Sequence, residues 1–237
     1  MTDVGLVIVA AGKGERLGCP EEKALVSMLG HPMLAWTLLA FDDFHEIVER
    51  VVVVPPGREE VFRERVLASL RLERDVEIVA GGAERQDSVM NGVEALTAKS
   101  HWVMVHDAAR PLVSRKLIQR VLEVMDAGES VVPALPVRDS IARIGYESWI
   151  KAYVDRKELL AVQTPQGFHR PVLEYAHQRS RADHFLGTDE ASLVLRINHP
   201  VSCIEGDSEN IKITYKGDLH LAESILRERG FRAEPRA

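Results

Sequence analysis

The sequence predicts an α/β fold in which helices cover both faces of a mostly parallel sheet. First, short apolar runs alternate along the chain with segments of helical periodicity, and such alternation produces right-handed crossovers between parallel strands. Second, several of these runs are almost continuously apolar and β-branched, as are strands that are covered on both faces. The arrangement is Rossmann-like, and we expect ligands to bind beyond the carboxyl ends of the strands.

These patterns place the elements of the amino-terminal part in order. Strands are predicted at residues 5–10, 51–54, 76–80, 102–106 and 130–134. Helices are predicted between them at residues 32–44, 58–70, 86–98 and 114–127.

The alternation breaks after Pro136, where residues 137–157 combine a β-like pattern with a predicted turn at Gly145. We interpret this segment as a hairpin arm that leaves the sheet; the alternative is a lid packed on its own domain. Large apolar side chains exposed on an arm are unfavourable in a monomer and typical of a subunit interface, and those predicted here are Tyr146, Trp149, Ile150 and Tyr153. We therefore expect one domain over residues 1–237, with residues 137–157 as a β-arm for dimerisation, and a homodimer.

The α/β pattern resumes after the arm. Thr188 is predicted to cap a helix over residues 189–195, because threonine is a favoured residue at that position. Strands are predicted at residues 201–205 and 211–214, and a final helix at residues 218–229.

Charge and composition narrow the functional class. The net charge of −6 argues against general nucleic-acid binding, which favours a basic surface. The two cysteines, Cys19 and Cys203, make neither a disulfide framework nor a zinc spacing, as is typical of the reducing cytoplasm. No apolar run reaches the length of a membrane span, and the first strand begins too early for a signal peptide. We expect a cytoplasmic protein without nucleic-acid or membrane partners.

The run AAGKGERLG, which begins at Ala10, directly follows the first predicted strand. Glycines let backbone N–H groups approach a polyanion closely, and a nest of such groups binds phosphate. This loop is therefore a candidate phosphate site, and Arg16 and Lys23 would supply positive charge to a triphosphate. The alternative is a glycine-rich turn with incidental charges. Leu17 stands where a dinucleotide fingerprint has its third glycine, and the chain contains no Walker A string.

Polar residues also follow two further strands at what should be the same edge of the sheet. Gly82 and Ser88 follow the third predicted strand, and Asp107 and Arg110 follow the fourth. Asp107 is the candidate Mg²⁺ ligand, since nucleotide sites use one or two carboxylates together with substrate phosphates; the alternative is a capping aspartate. Arg110 either binds phosphate or pairs with Asp107. His106 is expected to face away from Asp107 by strand alternation and to be structural.

Two further cations are candidates in the carboxyl-terminal half. The alternation of residues 210–214 places Asn210, Lys212 and Thr214 on one face. A half-buried lysine there requires an anion, or Lys212 extends to solvent along an apolar surface. Arg156 either has a functional role or forms a salt bridge with a neighbouring carboxylate.

Taken together, these segments resemble the 2-C-methyl-D-erythritol 4-phosphate cytidylyltransferase family of the non-mevalonate isoprenoid pathway. The matching stretches are AAGKGERLG from Ala10, GGAERQDSV from Gly81, HDAARP from His106, PVRDS from Pro136, VDR from Val154, TPQ from Thr164, TDEAS from Thr188 and ENIKIT from Glu209. They run in the family's order and at its spacings from near the start to the last predicted strand.

The resemblance implies cytidylyl transfer from CTP to a polyol phosphate, with Mg²⁺. By that resemblance, Arg16 and Lys23 steady the charge on the reacting phosphorus, Arg156 and Lys212 hold the acceptor's phosphate, and Asp107 faces the metal. Ser140 and Arg156 reach the active site of a partner subunit. The implied binding set is Ala10, Ala11, Gly12, Gly14, Gly82, Ser88, Asp107, Arg110, Ser140 and Thr164.

The chain departs from the family pattern at three places. Glu21 and Glu22 precede Lys23 where the family usually has Pro-Lys and then an aromatic residue. Ala83 stands where the family often has an aspartate beside the cytosine, and Ser140 replaces a more usual threonine.

The expected chemistry is attack by a phosphate oxygen of the acceptor on the α-phosphorus of CTP. No general base is required, because a phosphate monoester is largely dianionic at neutral pH. Rival interpretations are cytidylyl transfer to ribitol 5-phosphate, a non-catalytic nucleotide-binding regulator and, least well supported, a nicotinamide-dependent dehydrogenase.

Overall fold

The computed structural model describes residues 2–12, 14–19 and 21–232. The strands are β1 (Val4–Val9), β2 (Ser27–Met28), β3 (His31–Pro32), β4 (Ile47–Val54), β5 (Glu77–Ala80), β6 (Trp102–Asp107), β7 (Val131–Pro136), β8 (Ile141–Ile144), β9 (Ile150–Val154), β10 (Leu160–Val162), β11 (Gln166–His169) and β12 (Ser202–Glu205). The α-helices are α1 (Met33–Ala40), α2 (Glu59–Arg65), α3 (Arg85–Ala95), α4 (Arg115–Asp126), α5 (Arg170–Ala182), α6 (Glu190–Arg196) and α7 (Lys216–Glu228). Short 3₁₀ turns lie at Glu15–Leu17, Lys23–Leu25, Leu67–Ser69, Tyr146–Ser148 and Arg156–Glu158.

One large sheet organises the molecule. Its strands run in the order β5-β4-β1-β6-β11-β7. Strands β5, β4, β1 and β6 are mutually parallel, and β12 pairs parallel with β7. The exceptions are β10 and β11, which run antiparallel to their neighbours. The predicted Rossmann-like, mostly parallel α/β fold is therefore confirmed.

Helices cover both faces of the sheet, because successive side chains of each strand point to opposite sides. In β1, Leu6 and Ile8 join a core cluster that includes residues of α1, α2 and α4. Val7, which lies between them, joins a cluster built with α3, α5 and α6. A Cβ at Gly92 of α3 would lie 2.5 Å from Val7 Cγ1, so glycine lets this helix pack closely on the sheet.

A third apolar cluster lies near the glycine-rich loop and involves α7 and its preceding segment. Leu17, Leu112, Ile213 and Leu226 are buried there. The predicted strand over residues 211–214 is wrong: this segment pairs with no strand, although the Ile213 N–H donates to the carbonyl of Ala109 at 2.8 Å. Burial of Ile213, this backbone hydrogen bond and the hydrogen bond from the Thr214 N–H to Asp218 Oδ2 (2.7 Å) help to hold the segment without strand pairing.

The other predicted helices and strands are present, but the first residue, the last residue or both differ from the prediction in each of them. The predicted cap of α6 is wrong. Asp189, not Thr188, caps α6, because its carboxylate accepts the Ser192 N–H at 3.0 Å. The predicted helix over residues 58–70 ends as an α-helix at Arg65 and continues as a 3₁₀ turn. The patterns gave no sign of β10, β11 or α5.

Residues 137–157 contain a two-stranded hairpin, as predicted. Strands β8 and β9 pair with each other and form a sheet separate from the central one. Tyr146 is 86% exposed, Trp149 75% and Tyr153 70%. The function of this hairpin in dimerisation, and the single domain over residues 1–237, stay predictions.

No helix among the described residues is long and apolar enough to cross a membrane.

Candidate active site

The carboxyl ends of β1, β5 and β6 bring three loops together, as parallel pairing requires. Asp107, the last residue of β6, lies beside Val9, the last residue of β1. A Cβ at Gly81, just after β5, would lie 2.7 Å from the Ala11 side chain. Gly81 therefore lets the loop after β5 lie directly against the loop after β1.

The glycine-rich loop after β1 is shaped by two left-handed residues and one apolar anchor. Gly14 and Gly18 have φ values of 66° and 64°, which disfavour side chains. A Cβ at Gly14 would also meet Lys23 Cβ at 2.6 Å, so the loop packs directly on the candidate catalytic lysine. Leu17 is buried at 1% exposure and holds the loop on the third apolar cluster. Among the described residues, a Cβ on Gly12 would meet nothing within 4 Å, so the space in that direction from Gly12 is open.

The loop after β5 is closed by Ser88. The Ser88 hydroxyl accepts the Gly82 N–H at 3.1 Å and donates to the Glu84 carbonyl at 3.1 Å. Ser88 is buried at 2% exposure. In this arrangement its side chain fixes the backbone of Gly82, and the two residues form one unit of the site.

Asp107 is the centre of the charge distribution. Lys212 Nζ lies 2.8 Å from its Oδ2, Arg85 Nη2 lies 3.3 Å from its Oδ1, and Arg110 Nε lies 3.7 Å from its Oδ2. Burial alone would raise the pKa of Asp107, but Arg85 and Lys212, followed by Arg110, hold that pKa well below its usual range. The carboxylate is therefore ionised at neutral pH.

A buried hydrogen-bond chain fixes the backbone of Asp107. Its N–H donates to Thr164 Oγ1 at 3.1 Å, and that oxygen lies 3.0 Å from His106 Nδ1. His106 Nε2 lies 3.1 Å from the Arg110 carbonyl, which can only accept. Burial lowers the pKa of His106 to about 4, so the ring is neutral. We infer that Nε2 carries the proton and that the Thr164 hydroxyl donates to Nδ1. His106 is structural, as predicted.

Arg110 is directed inward. Besides Asp107, its guanidinium donates to the carbonyls of Asn210 at 2.7 Å and Val162 at 3.4 Å. The side chain is 11% exposed. Of the two roles considered for Arg110, this arrangement favours the pairing with Asp107.

Lys23 lies among other charges and, within the described ranges, has no close carboxylate contact of the kind that Lys212 has. Burial and Lys212, then Arg16, lower the pKa of Lys23 to about 8, against the opposing effects of Asp107 and Asp218. Arg16 is exposed. The structure thus brings Arg16, Lys23, Lys212 and Asp107 together from three separate segments.

Glu21 and Glu22, the departures beside Lys23, are bound elsewhere. Glu22 Oε2 accepts from Arg58 Nη2 at 3.2 Å, and Glu21 forms a salt bridge with Arg65. Both arginines belong to, or directly precede, α2. The two carboxylates therefore tie this loop to α2 and do not pair with Lys23.

Ser140 and Arg156 lie apart from this cluster, at the base of the arm, and both are exposed. Arg156 Nη1 donates to the Arg138 carbonyl at 2.6 Å. Asp155, the nearest carboxylate in sequence, caps the following turn by accepting the Lys157 N–H at 3.0 Å. Within one subunit, neither Ser140 nor Arg156 contacts the Asp107 cluster in the described part of the chain.

Arg85 and Glu190 are the site residues that sequence reasoning missed. Arg85 opens α3 and contacts Asp107, and its Nη1 also lies 2.7 and 2.9 Å from the two carboxylate oxygens of Glu190. Both residues stand in recognised stretches, GGAERQDSV and TDEAS. Their position inside these two stretches was the available signal.

Within the residues that the structure describes, no group of three or more histidine, cysteine or acidic side chains could hold a metal ion. Asp107 supplies one carboxylate at the ligand edge, and each of its oxygens keeps lone pairs beyond those used by its cations. That donor set fits a hard cation that is held mainly by substrate phosphates, and it does not fit a site formed by the protein alone.

Comparison of the sequence with known proteins finds relatives that share one name. The family model "2-C-methyl-D-erythritol 4-phosphate cytidylyltransferase" matches residues 4–228. The enzyme of that name from Pelotomaculum thermopropionicum is 38% identical over 229 residues, covering 97% of this chain and 96% of that protein. The one from Synechococcus elongatus is also 38% identical over 229 residues, covering 96% and 98%.

Solved structures agree with the sequence relatives. The crystal structure of the cytidylyltransferase from Thermus thermophilus superposes with a TM-score of 0.77 at 36% identity, covering 96% of this chain and 100% of that chain. The Francisella tularensis structure gives a TM-score of 0.78 at 26% identity, covering 94% and 99%.

Proposed function

The chain belongs to the 2-C-methyl-D-erythritol 4-phosphate cytidylyltransferase family, and we propose that the cluster around Asp107 is its reaction centre. It is a nucleotidyltransferase of isoprenoid precursor biosynthesis. It transfers a cytidylyl group from CTP to 2-C-methyl-D-erythritol 4-phosphate and gives 4-diphosphocytidyl-2-C-methyl-D-erythritol and pyrophosphate.

The convergence of Arg16, Lys23 and Lys212 beside the glycine-rich loop carries this assignment of the site. Arg16 and Lys212 both interact electrostatically with Lys23, and the glycine-rich loop packs on Lys23 at Gly14. Phosphoryl-type transfer depends on positioning and charge stabilisation more than on covalent chemistry. A cationic cluster next to a backbone nest supplies both.

In the proposed reaction, an oxygen of the acceptor's phosphate forms a bond to the α-phosphorus of CTP. The bond between that phosphorus and the bridging oxygen breaks, and pyrophosphate leaves with the electron pair. Arg16 and Lys23 neutralise the charge that builds on the α-phosphate oxygens. The backbone of Ala10, Ala11, Gly12 and Gly14 holds the nucleotide's phosphates, and Gly82 with Ser88 shapes the pocket for its base.

The structure is consistent with a reaction that needs no general base. His106 has both ring nitrogens in hydrogen bonds and is fully buried. The acceptor's phosphate is already largely dianionic, because its second pKa is about 6. Deprotonation is therefore not a step that this chain's residues must perform.

A divalent cation, Mg²⁺ in our proposal, would reach the site with the phosphates of CTP and have Asp107 as its protein carboxylate. When bound, it would withdraw charge from the phosphates of CTP.

The acceptor's phosphate is proposed to bind Lys212 of one subunit together with Arg156 and Ser140 of a second. Lys212 Nζ is held by Asp107 at 2.8 Å, and a dianionic phosphate would compete with that carboxylate for the ammonium. A guanidinium fork suits a terminal phosphate. The arm would thus complete the acceptor site in a homodimer, and we expect the enzyme to act in the cytoplasm.

The decisive experiment is a coupled pyrophosphate assay with CTP, Mg²⁺ and each acceptor in turn. We expect rapid release with 2-C-methyl-D-erythritol 4-phosphate and little with ribitol 5-phosphate. Preference for ribitol 5-phosphate would overturn the acceptor assignment. Binding of CTP without release of pyrophosphate in the presence of either acceptor would instead indicate a regulator.

A further inference from the structure

Glu190 is a buried carboxylate that the proposed reaction does not use directly. It is the first residue of α6 and its side chain is 1% exposed. Its two oxygens receive Arg85 Nη1 at 2.7 and 2.9 Å, and Arg85 Nη2 reaches Asp107 Oδ1 at 3.3 Å. Glu190, Arg85 and Asp107 therefore form one continuous chain of charges that ends at Lys212.

The start of α6 is fastened to the same segment that holds the backbone of Asp107. Gln166 Nε2 donates to Asp189 Oδ2 at 2.8 Å, and Gln166 Oε1 accepts the Ala191 N–H at 3.3 Å. Two residues before Gln166, Thr164 accepts the Asp107 N–H. One short segment thus sets the position of both carboxylates that share Arg85.

The surroundings of Arg85 contain a further titratable group, His177 of α5. His177 is 1% exposed, and neither ring nitrogen has a hydrogen-bond partner in the described part of the chain. Burial, together with Arg181 and Arg85, lowers the pKa of His177 to about 4. A neutral ring adds no counter-charge, so Glu190 and Asp107 provide the negative charge that Arg85 contacts.

Stability alone is a weak reason for such an arrangement. Burial raises the pKa of Glu190, and Arg85 opposes that shift; removing two charges from water often costs as much as their attraction returns. What the pair does provide is a fixed guanidinium. If Glu190 were absent, Asp107 would be the carboxylate that Arg85 contacts, and Asp107 would be drawn towards Arg85 and away from Lys212.

We propose that Glu190 is a positioning residue that acts through Arg85: it fixes the guanidinium so that Asp107 divides its two oxygens between Arg85 and Lys212. The consequence is that Lys212 is presented to the acceptor's phosphate in one geometry. This inference rests on the proposed function, because it assigns Lys212 to acceptor binding.

The test is a double-mutant cycle with Glu190→Gln, Arg85→Gln and the double variant, assayed well below the lowest melting temperature. Glu190→Gln should lower kcat/KM for the acceptor on the order of tenfold, mostly through a higher KM, and the double variant should be no worse than Arg85→Gln alone. CTP affinity, measured by calorimetric titration without a divalent cation, should stay unchanged, because Arg16, Lys23 and the glycine-rich loop are not altered and Asp107 is proposed to meet CTP only through the metal. Glu174→Gln, which removes a more exposed carboxylate from Arg170 (2.8 Å), is the control for loss of an arginine–carboxylate pair away from the site and should leave all these constants unchanged.

Two results would overturn the proposal. One is a lower melting temperature with unchanged kcat/KM in Glu190→Gln, which would make Glu190 purely structural. The other is a double variant whose loss of kcat/KM equals the product of the two single-variant losses, which would mean that Glu190 does not act through Arg85. If Glu190→Gln does not fold, Glu190→Asp keeps the charge at a shorter reach and should raise the acceptor KM by a smaller factor. Absence of activity in the unmodified enzyme would count against the proposed function, and not against this inference.

Discussion

The Asp107 cluster and the β8–β9 arm differ in what each leaves exposed. At the cluster, the Asp107 carboxylate is 10% exposed and contacts three cations. Arg110 comes from the turn that follows Asp107, and Arg85 and Lys212 come from distant parts of the sequence. On the arm, Tyr146, Trp149 and Tyr153 are at least 70% exposed, and the hairpin pairs only with itself. One region has its partners within the chain, and the other presents an apolar surface that is suited to a second copy.

The difference indicates how the site is divided. The charges that we propose to act on the nucleotide lie at the packed edge of the sheet, where contacts within the chain already hold Asp107 and Lys212. Arg156 and Ser140 lie at the exposed region, so their contribution depends on what the arm packs against. We expect the first region to determine turnover and the second to complete the acceptor site.

The largest effect is expected from Lys23→Ala. This change removes a cation that we propose lies beside the reacting phosphorus, and loss of one such stabilising group typically costs about 10²–10³ in kcat. CTP affinity should fall much less, because Arg16 and the backbone nest remain. Steady-state kinetics and calorimetry measure the two effects, and near-normal turnover would show that another residue performs this role.

Exchange of subunits tests whether the arm serves a neighbouring site. Lys23→Ala and Arg156→Ala are each expected to be inactive or nearly so under acceptor-limited conditions. If Arg156 acts across the interface, a heterodimer carries both lesions in one site and none in the other, so about half of the wild-type activity per heterodimer should return. A mixture that stays inactive, after exchange has been verified by mass spectrometry, would place Arg156 in its own subunit's site.

The pH dependence should be set by Lys23. Because its pKa is lowered to about 8, the ammonium loses its proton as pH rises through that value, and kcat/KM for CTP should fall about 15-fold between pH 8 and pH 9.5. Bound phosphates favour the charged form, so the fall in kcat should occur at higher pH than the fall in kcat/KM. Lys23→Arg is the matched control. A guanidinium keeps its charge across this pH range, so this variant should show no alkaline fall in kcat/KM. A kcat/KM that stays level to pH 9.5 would contradict the assignment.

The smallest effect is expected at the departures from the family pattern. Glu21→Gln with Glu22→Gln removes two half-exposed ion pairs to α2, and pairs of this kind contribute little. Turnover and the KM for CTP should stay within about twofold of the wild-type values. A change of tenfold or more would mean that these carboxylates act on Lys23 after all, despite their contacts with Arg58 and Arg65.

Local pattern was enough to predict the framework of the fold. The apolar runs of β1, β4 and β6 and the helices between them depend on residues that are close in sequence, and their positions were correct within a few residues. The predicted strand over residues 211–214 failed for the opposite reason. Its alternating isoleucines are typical of a strand. In the structure, however, Ile213 is buried against α7, so its side chain leaves water without any strand pairing.

By itself, the sequence determined the glycine-rich loop, the polar residues at the strand ends, the arm and, through motif order, the family. Each of these is encoded within a few consecutive residues or in their spacing. Only the tertiary structure decided which charges meet. Arg85 and Glu190 are separated by 105 residues, and Arg85 and Asp107 by 22. The inward orientation of Arg110, the pairing of Lys212 with Asp107 and the anchoring role of Glu190 depend on such long-range contacts, because a side chain's partner is set by the packing of whole elements and not by its neighbours in the chain.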